Sequence, residues 1–323
     1  MGLKKSVFLF SGFGTQFDSM GENLYSSDEV FKNYMDQLDV IAIDISGKSV
    51  IEVFFDKKSS NIKHDLFSTL TMLYMVQYSL AEMYIEKGVE PDCLMGFSLG
   101  ETVAASVSMI LDPSDIISLF FSEAQVLSHY SFETETLFVY KSSEFIDDHP
   151  ELFENSQVIC NYSSSHSIIS IPKDKELFFI RSLKEEGIIS YKMPINIPFH
   201  TTGIADLYDS LFPLFEKLRM QKGKIPVIST LADHDKIQPS AEYFWNVICQ
   251  RICFSEKLKE ISDPDIFFID CSPASACSNY VKYNKISNKC FSSPFYQKSN
   301  HKINDLNITK LINDIKTYQG KEY

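Results

Sequence analysis

The 323-residue sequence predicts an α/β protein. A large domain with a parallel sheet is expected over 1–130 and 193–323, interrupted by a small α+β subdomain over 131–192. Three observations predict this. Short apolar runs end in glycine-bearing turns and lead into helix-periodic segments, the alternation that builds a parallel sheet. Near residue 131 the texture shifts to short β-branched runs separated by polar helical stretches. After about residue 193 the first pattern resumes.

Each element has a local reason. Ser6 to Ser11 is an apolar strand that ends in Gly12-Phe13-Gly14-Thr15-Gln16, a turn opening toward a helix near Met20 to Leu24. From Phe67 to Lys87, apolar residues recur at helical spacing (Leu70, Leu73, Tyr74, Leu80, Ala81, Tyr84), predicting a long buried helix. Pro91 introduces a strand over Cys93 to Met95, which runs into Gly96-Phe97-Ser98-Leu99-Gly100-Glu101. The small residues from Thr102 to Ser108 suit a helix packed closely on a sheet. Asp112-Pro113-Ser114 starts the next helix, to about Ser128. In the subdomain, strands are expected at Thr136 to Lys141, Val158 to Asn161 and Ile168 to Ile171. Helices lie between them at Ser143 to Phe153 and Lys173 to Glu186. Helix 203–220, strand 225–230, helix 241–261, strand 266–270 and a last helix around Asn304 to Tyr318 complete the reading.

Composition narrows the function. With 44% hydrophobic and 23% charged residues, the chain has the profile of an ordinary globular protein. A net charge of −13 argues against broad nucleic-acid binding, which needs a basic face. Arg219, Lys222 and Lys224 form a local basic patch, readable as a docking point for an acidic partner or as a solvated helix end. The seven cysteines are scattered and odd in number, as expected of reduced thiols in a cytoplasmic protein. Cys249 and Cys253 could share a helix face, but no neighbouring ligands make a metal site there. The run Val7-Phe8-Leu9-Phe10 is too short for a signal peptide, and no stretch reaches the ~20 apolar residues of a membrane span.

Gly96-x-Ser98-x-Gly100 between a strand and a helix has the form of a nucleophile elbow. Small residues two before and two after the serine permit the sharp turn, and the amide of Leu99 is aimed where an oxyanion would develop. A serine hydroxyl needs a base within hydrogen-bond reach. Of seven histidines, His64, His129, His149, His166, His234 and His301 lie in polar or loop-like surroundings. His200 instead ends the run Ile195-Asn196-Ile197-Pro198-Phe199, at a loop where an α/β sheet offers side chains to a cleft. At least two more strands follow it, so the chain order of an ordinary esterase triad fits badly.

With these residues in view, the chain resembles the malonyl-CoA:acyl carrier protein transacylase family, including stand-alone acyltransferases and acyl hydrolases of trans-acyltransferase polyketide pathways. Five segments carry the resemblance in family order: Phe8 to Gln16, Gly96 to Glu101, Asn161 to Ser164 with Ile168 to Ser170, Pro198-Phe199-His200, and Ile269 to Pro273. The resemblance implies a hydrolase-like large domain with a parallel sheet and a ferredoxin-like small subdomain. It implies a Ser98–His200 dyad, a backbone carbonyl near Cys249 to Phe254 orienting the imidazole, and an oxyanion hole from the amides of Phe13 and Leu99. It further implies no bound cofactor, a substrate carried on the phosphopantetheine of an acyl carrier protein or on CoA, and a monomer without membrane association.

The departures from the family pattern bear on the substrate. Where malonyl-using members place an arginine that pairs with the free carboxylate, Glu123 stands, and no Arg or Lys occurs between Ser98 and Lys141. Phe97 replaces the usual histidine before the serine, and the glutamine expected ahead of the elbow falls at Thr69. Phe97, Glu123, Phe199 and Thr69 are the candidate pocket residues. A carboxylate facing a carboxylate in an apolar pocket is unfavourable, so a non-malonyl acyl group is expected. Glu123 is readable as the receiver of an amino-bearing chain or as a glutamate turned to solvent. Release of the acyl group to another thiol or to water stays open, as does a non-catalytic homologue that only docks carrier proteins.

Overall fold

The first strand, β1 (Lys5–Phe10), organises the molecule because its side chains alternate between two cores. Phe8 and Phe10 enter the larger buried cluster, while Val7 and Leu9 enter a second one on the opposite face. A computed structural model describes residues 4–56, 65–193, 195–295 and 305–320.

In chain order β1 is followed by α1 (Glu22–Ser27), α2 (Glu29–Ser46), α3 (Val50–Phe55), α4 (Leu66–Glu86), β2 (Cys93–Gly96), α5 (Leu99–Val107) and α6 (Pro113–Leu127). Next come β3 (Thr134–Val139), α7 (Ser143–Asp148), β4 (Gln157–Ser163), β5 (His166–Pro172), α8 (Glu176–Glu185) and β6 (Ser190–Met193). The chain then forms α9 (Thr202–Ala205), α10 (Tyr208–Phe215), β7 (Val227–Ile228), α11 (Ala241–Cys249), α12 (Phe254–Glu260) and β8 (Ile266–Asp270). It closes with α13 (Ala276–Tyr283), β9 (Cys290–Phe291) and α14 (Asp305–Gln319).

Two separate sheets result. The larger is parallel, ordered β7-β2-β1-β8-β9, with β1 at its centre paired to β2 and β8. Helix α4 lies on one face, capped by the Asp65 carboxylate accepting from the Ser68 amide and buried along nearly its whole length. The smaller sheet is antiparallel, ordered β4-β5-β3-β6, and its β-α-β-β-α-β chain order is that of a ferredoxin-like unit. It has a core of its own, with Leu137, Val139, Ile169 and Ile171 packed on Phe179 and Leu183 of α8. The sheets meet where the Ile252 amide donates to the Ile159 carbonyl at 2.9 Å and the Ser255 hydroxyl donates to the Tyr162 carbonyl at 2.9 Å.

Several elements differ from the sequence reading. Helix α2 is 18 residues long and was not expected, nor was strand β6. The helix expected over 203–220 is two helices, because the Leu207 amide bonds the Ile204 carbonyl three residues back and ends the α pattern. The helix expected over 241–261 also divides. Gln250 is extended, and the amides of Ile252 and Cys253 bond Ile159 and Thr230 instead of the preceding turn. Tertiary hydrogen bonds outweigh helix periodicity here. Cys249 therefore ends α11 while Cys253 precedes α12, and the two share no helix face. All seven cysteines are free. His64 and His301 lie outside the described residues.

Candidate active site

Ser98 sits in the turn between β2 and α5 with φ 55° and ψ −128°, a strained conformation for a residue with a side chain. The turn is this sharp because glycines flank it. A Cβ at Gly96 would lie 2.0 Å from the Gly100 carbonyl oxygen, and one at Gly100 would lie 2.4 Å from the Phe10 carbonyl oxygen. Both obstacles are backbone, so neither can move aside.

His200 reaches the serine from the loop before α9. Its backbone is held by donation from its amide to the Ile248 carbonyl at 2.8 Å, and it too has positive φ, 63°. Imidazole Nε2 lies 2.9 Å from Ser98 Oγ, and Nδ1 lies 2.9 Å from the carbonyl oxygen of Gln250. A carbonyl only accepts, so Nδ1 carries the proton and Nε2 is left as the acceptor for the serine hydroxyl. The extended Gln250 that interrupts the α11–α12 stretch supplies this carbonyl. Burial pushes the His200 pKa down to about 4, a shift partly offset by the Gln250 hydrogen bond, so the ring is neutral near pH 7.

Phe13 and Leu99 line the same cavity as Ser98. In the first turn of α5 the amides of Gly100 and Glu101 are taken by the Phe97 and Ser98 carbonyls. Leu99 heads the same helix, where an amide has no partner within the helix. Phe13 packs edge-on against Phe199, ring centroids 6.3 Å apart.

Ser98 stands between two narrow cavities that share Phe13 and Phe199 as a common wall. One, of about 40 Å³, runs into the large domain and is lined by Leu70, Thr102, Phe120, Glu123 and Phe244 among others. The other, of about 50 Å³, runs between the two sheets and includes Phe97, His200, Ile168, Met193 and Tyr280. The second adjoins a wider cleft of about 380 Å³, walled by Phe138, Tyr140, Tyr162, His166, Tyr191 and Tyr283. None of the described residues lining the two narrow cavities is Lys or Arg.

Comparison with known proteins decides the family. The acyl transferase domain model matches residues 7–306, most of the chain. The chain belongs to the acyl transferase domain family. Among relatives, it is 28% identical over 300 residues to the polyketide biosynthesis acyltransferase homolog PksD of Bacillus subtilis (strain 168), covering 90% of this chain and 93% of that protein. It is 27% identical over 285 residues to the homolog BaeD of Bacillus velezensis, covering 85% of this chain and 86% of that protein. Among solved structures, the malonyl-CoA:acyl carrier protein transacylase of Helicobacter pylori superposes with a TM-score of 0.82 at 17% identity, over 98% of this chain and 99% of that one. A type II acyl carrier protein in complex with its malonyl transacylase also matches, with a TM-score of 0.80 at 15% identity, over 96% of this chain and 99% of the other.

Within this acyl transferase domain, the residues singled out from sequence fall into distinct places. Phe97 lines the inter-sheet cavity and packs on Phe254 and Tyr280, with centroids 4.9 and 5.1 Å away. Phe199 and Glu123 line the inner cavity. Glu123 is not turned to solvent: it is 4% exposed, and burial alone raises its pKa to about 8. Thr69 requires correction. It does not line the cavity, because its hydroxyl donates back to the Asp65 carbonyl at 2.8 Å and the helix turns Leu70 toward the space instead. His166, read as an ordinary polar-surface histidine, lines the aromatic cleft and hydrogen bonds Ser163 Oγ at 2.7 Å. Arg219 of the basic patch is exposed and already clamps Asp115 through Nη2 at 2.8 Å.

Two carboxyls with no exposed surface, Glu101 and Asp270, lie outside the two narrow cavities. Glu101, just past the elbow, accepts from the Thr230 amide at 2.8 Å and from the hydroxyls of Thr230 and Tyr243, tying α5 to the β7–α11 region. Asp270, at the end of β8, accepts from the amides of Ser272 and Ser278 at 2.8 and 2.7 Å. Glu101 braces backbone beside the elbow, and Asp270 braces the turn from β8 into α13. Among the described residues no group of three His, Cys, Asp or Glu is placed to hold a metal ion, and no helix is long and apolar enough to cross a membrane.

Proposed function

We propose that the protein transfers short, uncharged acyl groups from the thioester of an acyl carrier protein, through an ester on Ser98, in polyketide biosynthesis. The observation that carries this reading is the relay from Ser98 Oγ to His200 Nε2, with Nδ1 fixed by the Gln250 carbonyl. Ser98 Oγ attacks the thioester carbonyl carbon while its proton passes to Nε2. The amides of Phe13 and Leu99 stabilise the tetrahedral oxyanion. The C–S bond then breaks, and the thiol leaves with the proton from Nε2. Deacylation reverses the steps, with an acceptor thiol in place of the departed one.

The acyl chain occupies the inner cavity, and the carrier's pantetheine arm reaches Ser98 through the inter-sheet cavity and the aromatic cleft. About 40 Å³ is roughly three water-sized volumes, which suits an acetyl- to butyryl-sized chain. A malonyl carboxylate would meet Glu123 and no cation. A carboxylate buried in such a site without a cationic partner costs several kcal/mol, so malonyl turnover is expected to fall short of butyryl by about a hundredfold or more. The relatives named as polyketide acyltransferase homologs support the pathway assignment, and the complex of a related transacylase with its carrier supports the partner.

The test uses butyryl-loaded carrier protein with a second, empty carrier. Butyryl appearing on the second carrier, and abolished by Ser98→Ala, supports transfer. Free butyrate alone would make the protein an acyl hydrolase, and no product of either kind would leave a docking homologue.

A further inference from the structure

The inner cavity contains one feature that binding an unadorned acyl chain does not require. Its walls are apolar apart from Ser98, Thr102 and Glu123. Glu123 comes from the middle of α6, is 4% exposed, and has no hydrogen-bond or ion-pair partner among the described residues. Burying a carboxyl without a partner is destabilising, whereas leucine or phenylalanine there would pack with its neighbours at no such cost. A polar group kept in this position is available to a ligand.

The surroundings say which form of the carboxyl meets that ligand. From α11 the nearest titratable group is Cys249, whose thiol is pushed up to about 12 by burial and by Glu123 itself. From α4, Tyr74 has its hydroxyl bound to Ser106, and from α5 Glu101 is occupied by Thr230 and Tyr243. From α2, Asp39 is bound by Ser49 and by the amides of Val50 and Ile51, and on α10 Asp209 is exposed. No cation among the described residues lines the cavity. With nothing to stabilise an anion, burial raises the pKa to about 8, and below that pH the group is a neutral acid with an O–H to donate.

We propose that Glu123 is a specificity-determining residue, whose carboxylic acid donates a hydrogen bond to a neutral oxygen on the acyl chain seated beside Ser98. The substrate class is a short acyl group bearing an oxo or hydroxyl function beyond the thioester carbonyl. An ammonium-bearing chain is disfavoured. It would have to surrender its hydration to a cavity with two hydroxyls and one carboxyl, and would force that carboxyl to ionise there. A neutral oxygen gives up far less. The inference rests on the acyl-Ser98 reading, which fixes which cavity holds the chain.

The experiment measures kcat/KM for butyryl-, 3-oxobutyryl-, 3-hydroxybutyryl- and 4-aminobutyryl-carrier protein, at pH 6.5 and pH 9. Wild type is compared with Glu123→Gln and Glu123→Leu. One hydrogen bond predicts about a tenfold preference for 3-oxobutyryl over butyryl at pH 6.5. At pH 9 the preference should collapse, because the ionised carboxylate cannot donate to an oxo group. Glu123→Gln should keep a preference at both pH values, since its amide N–H donates throughout, and Glu123→Leu should favour butyryl at both. A wild-type oxo preference that is absent at pH 6.5 or unchanged at pH 9 overturns the proposal, as does 4-aminobutyryl being the best substrate. Equilibrium binding of butyryl- and 3-oxobutyryl-pantetheine to Ser98→Ala reads the same pocket without chemistry. If wild type forms no acyl-enzyme yet Ser98→Ala shows the pH-dependent preference, the catalytic reading fails and this one stands. If neither shows it, this one fails.

Discussion

Replacing Ser98 by glycine should leave a more stable protein than replacing it by alanine, the reverse of the usual order. Both substitutions remove the hydroxyl and its hydrogen bond to His200, so those losses cancel in the comparison. What differs is the backbone. At φ 55° and ψ −128° a residue with a Cβ is strained, by about 1–3 kcal/mol, while glycine adopts the region freely. Glycine gives back about 0.5–1 kcal/mol through the greater freedom of its unfolded chain. The balance favours Ser98→Gly by about 1 kcal/mol. For a chain of 323 residues this is a rise of about 1–2 °C in Tm, measurable by calorimetry and better resolved as a shift in urea midpoint. Ser98→Gly proving equal to or less stable than Ser98→Ala would refute the claim that the turn stores strain.

Further expectations follow from the same geometry. Gly100→Ala should cost several kcal/mol or prevent folding, seen as loss of soluble expression, because its Cβ would press on the Phe10 carbonyl at 2.4 Å. His200→Ala should slow acylation by about 10²–10⁴-fold in a single-turnover assay. In wild type the acylation rate should stay level from pH 8 down to about 5, falling only as the pH nears 4, where the imidazole gains its proton and can no longer accept one. Glu123→Gln should stabilise the protein, by about 2–4 kcal/mol in urea unfolding near pH 8. The sign is set by a folded pKa of about 8 lying above the unfolded value. The wild-type carboxyl is favourable only while neutral, so stability is lost as pH rises between those values and the advantage of glutamine grows over that window. Below about pH 4 the two proteins should converge.

How far the sequence could be read depended on whether local or tertiary forces decide each element. Helix α4 was legible because apolar residues recurring at helical spacing over 21 residues, with no Gly or Pro among them, have no competing fate. Strand β8 was read at its observed bounds because turns enclose the four-residue apolar run Ile266 to Ile269 that ends at Asp270. Helix α2 left a fainter trace: Phe31, Met35, Leu38 and Ala42 form one buried stripe, Asp28 caps it and Gly47 ends it at φ 75°. Those signals were present but diluted by acidic and polar residues on the other faces. The division of α11 from α12 was not legible, since it depends on Ile159 and Thr230 attracting amides that the local sequence would keep in a helix.

The site divides along the same line. Gly96, Ser98 and Gly100 announce themselves because the turn's sterics act over five residues. His200 was identifiable by its place after an apolar run, but its distance from Ser98 depends on the fold. Counting from the serine placed Glu123 on the cavity wall and misplaced Thr69 by a single residue, because one residue is 100° of helix and Leu70 takes the inward position. The second cavity could not be seen at all, being made of residues from the small sheet together with loop and helix residues of the large domain.

The central claim is tested most directly by intact-protein mass spectrometry after brief mixing with butyryl-carrier protein, followed by peptide mapping. The account predicts a single butyryl mass increment located on Ser98, absent from Ser98→Ala and strongly delayed in His200→Ala. An increment that persists in Ser98→Ala, or a butyryl group mapped to a cysteine, would contradict it.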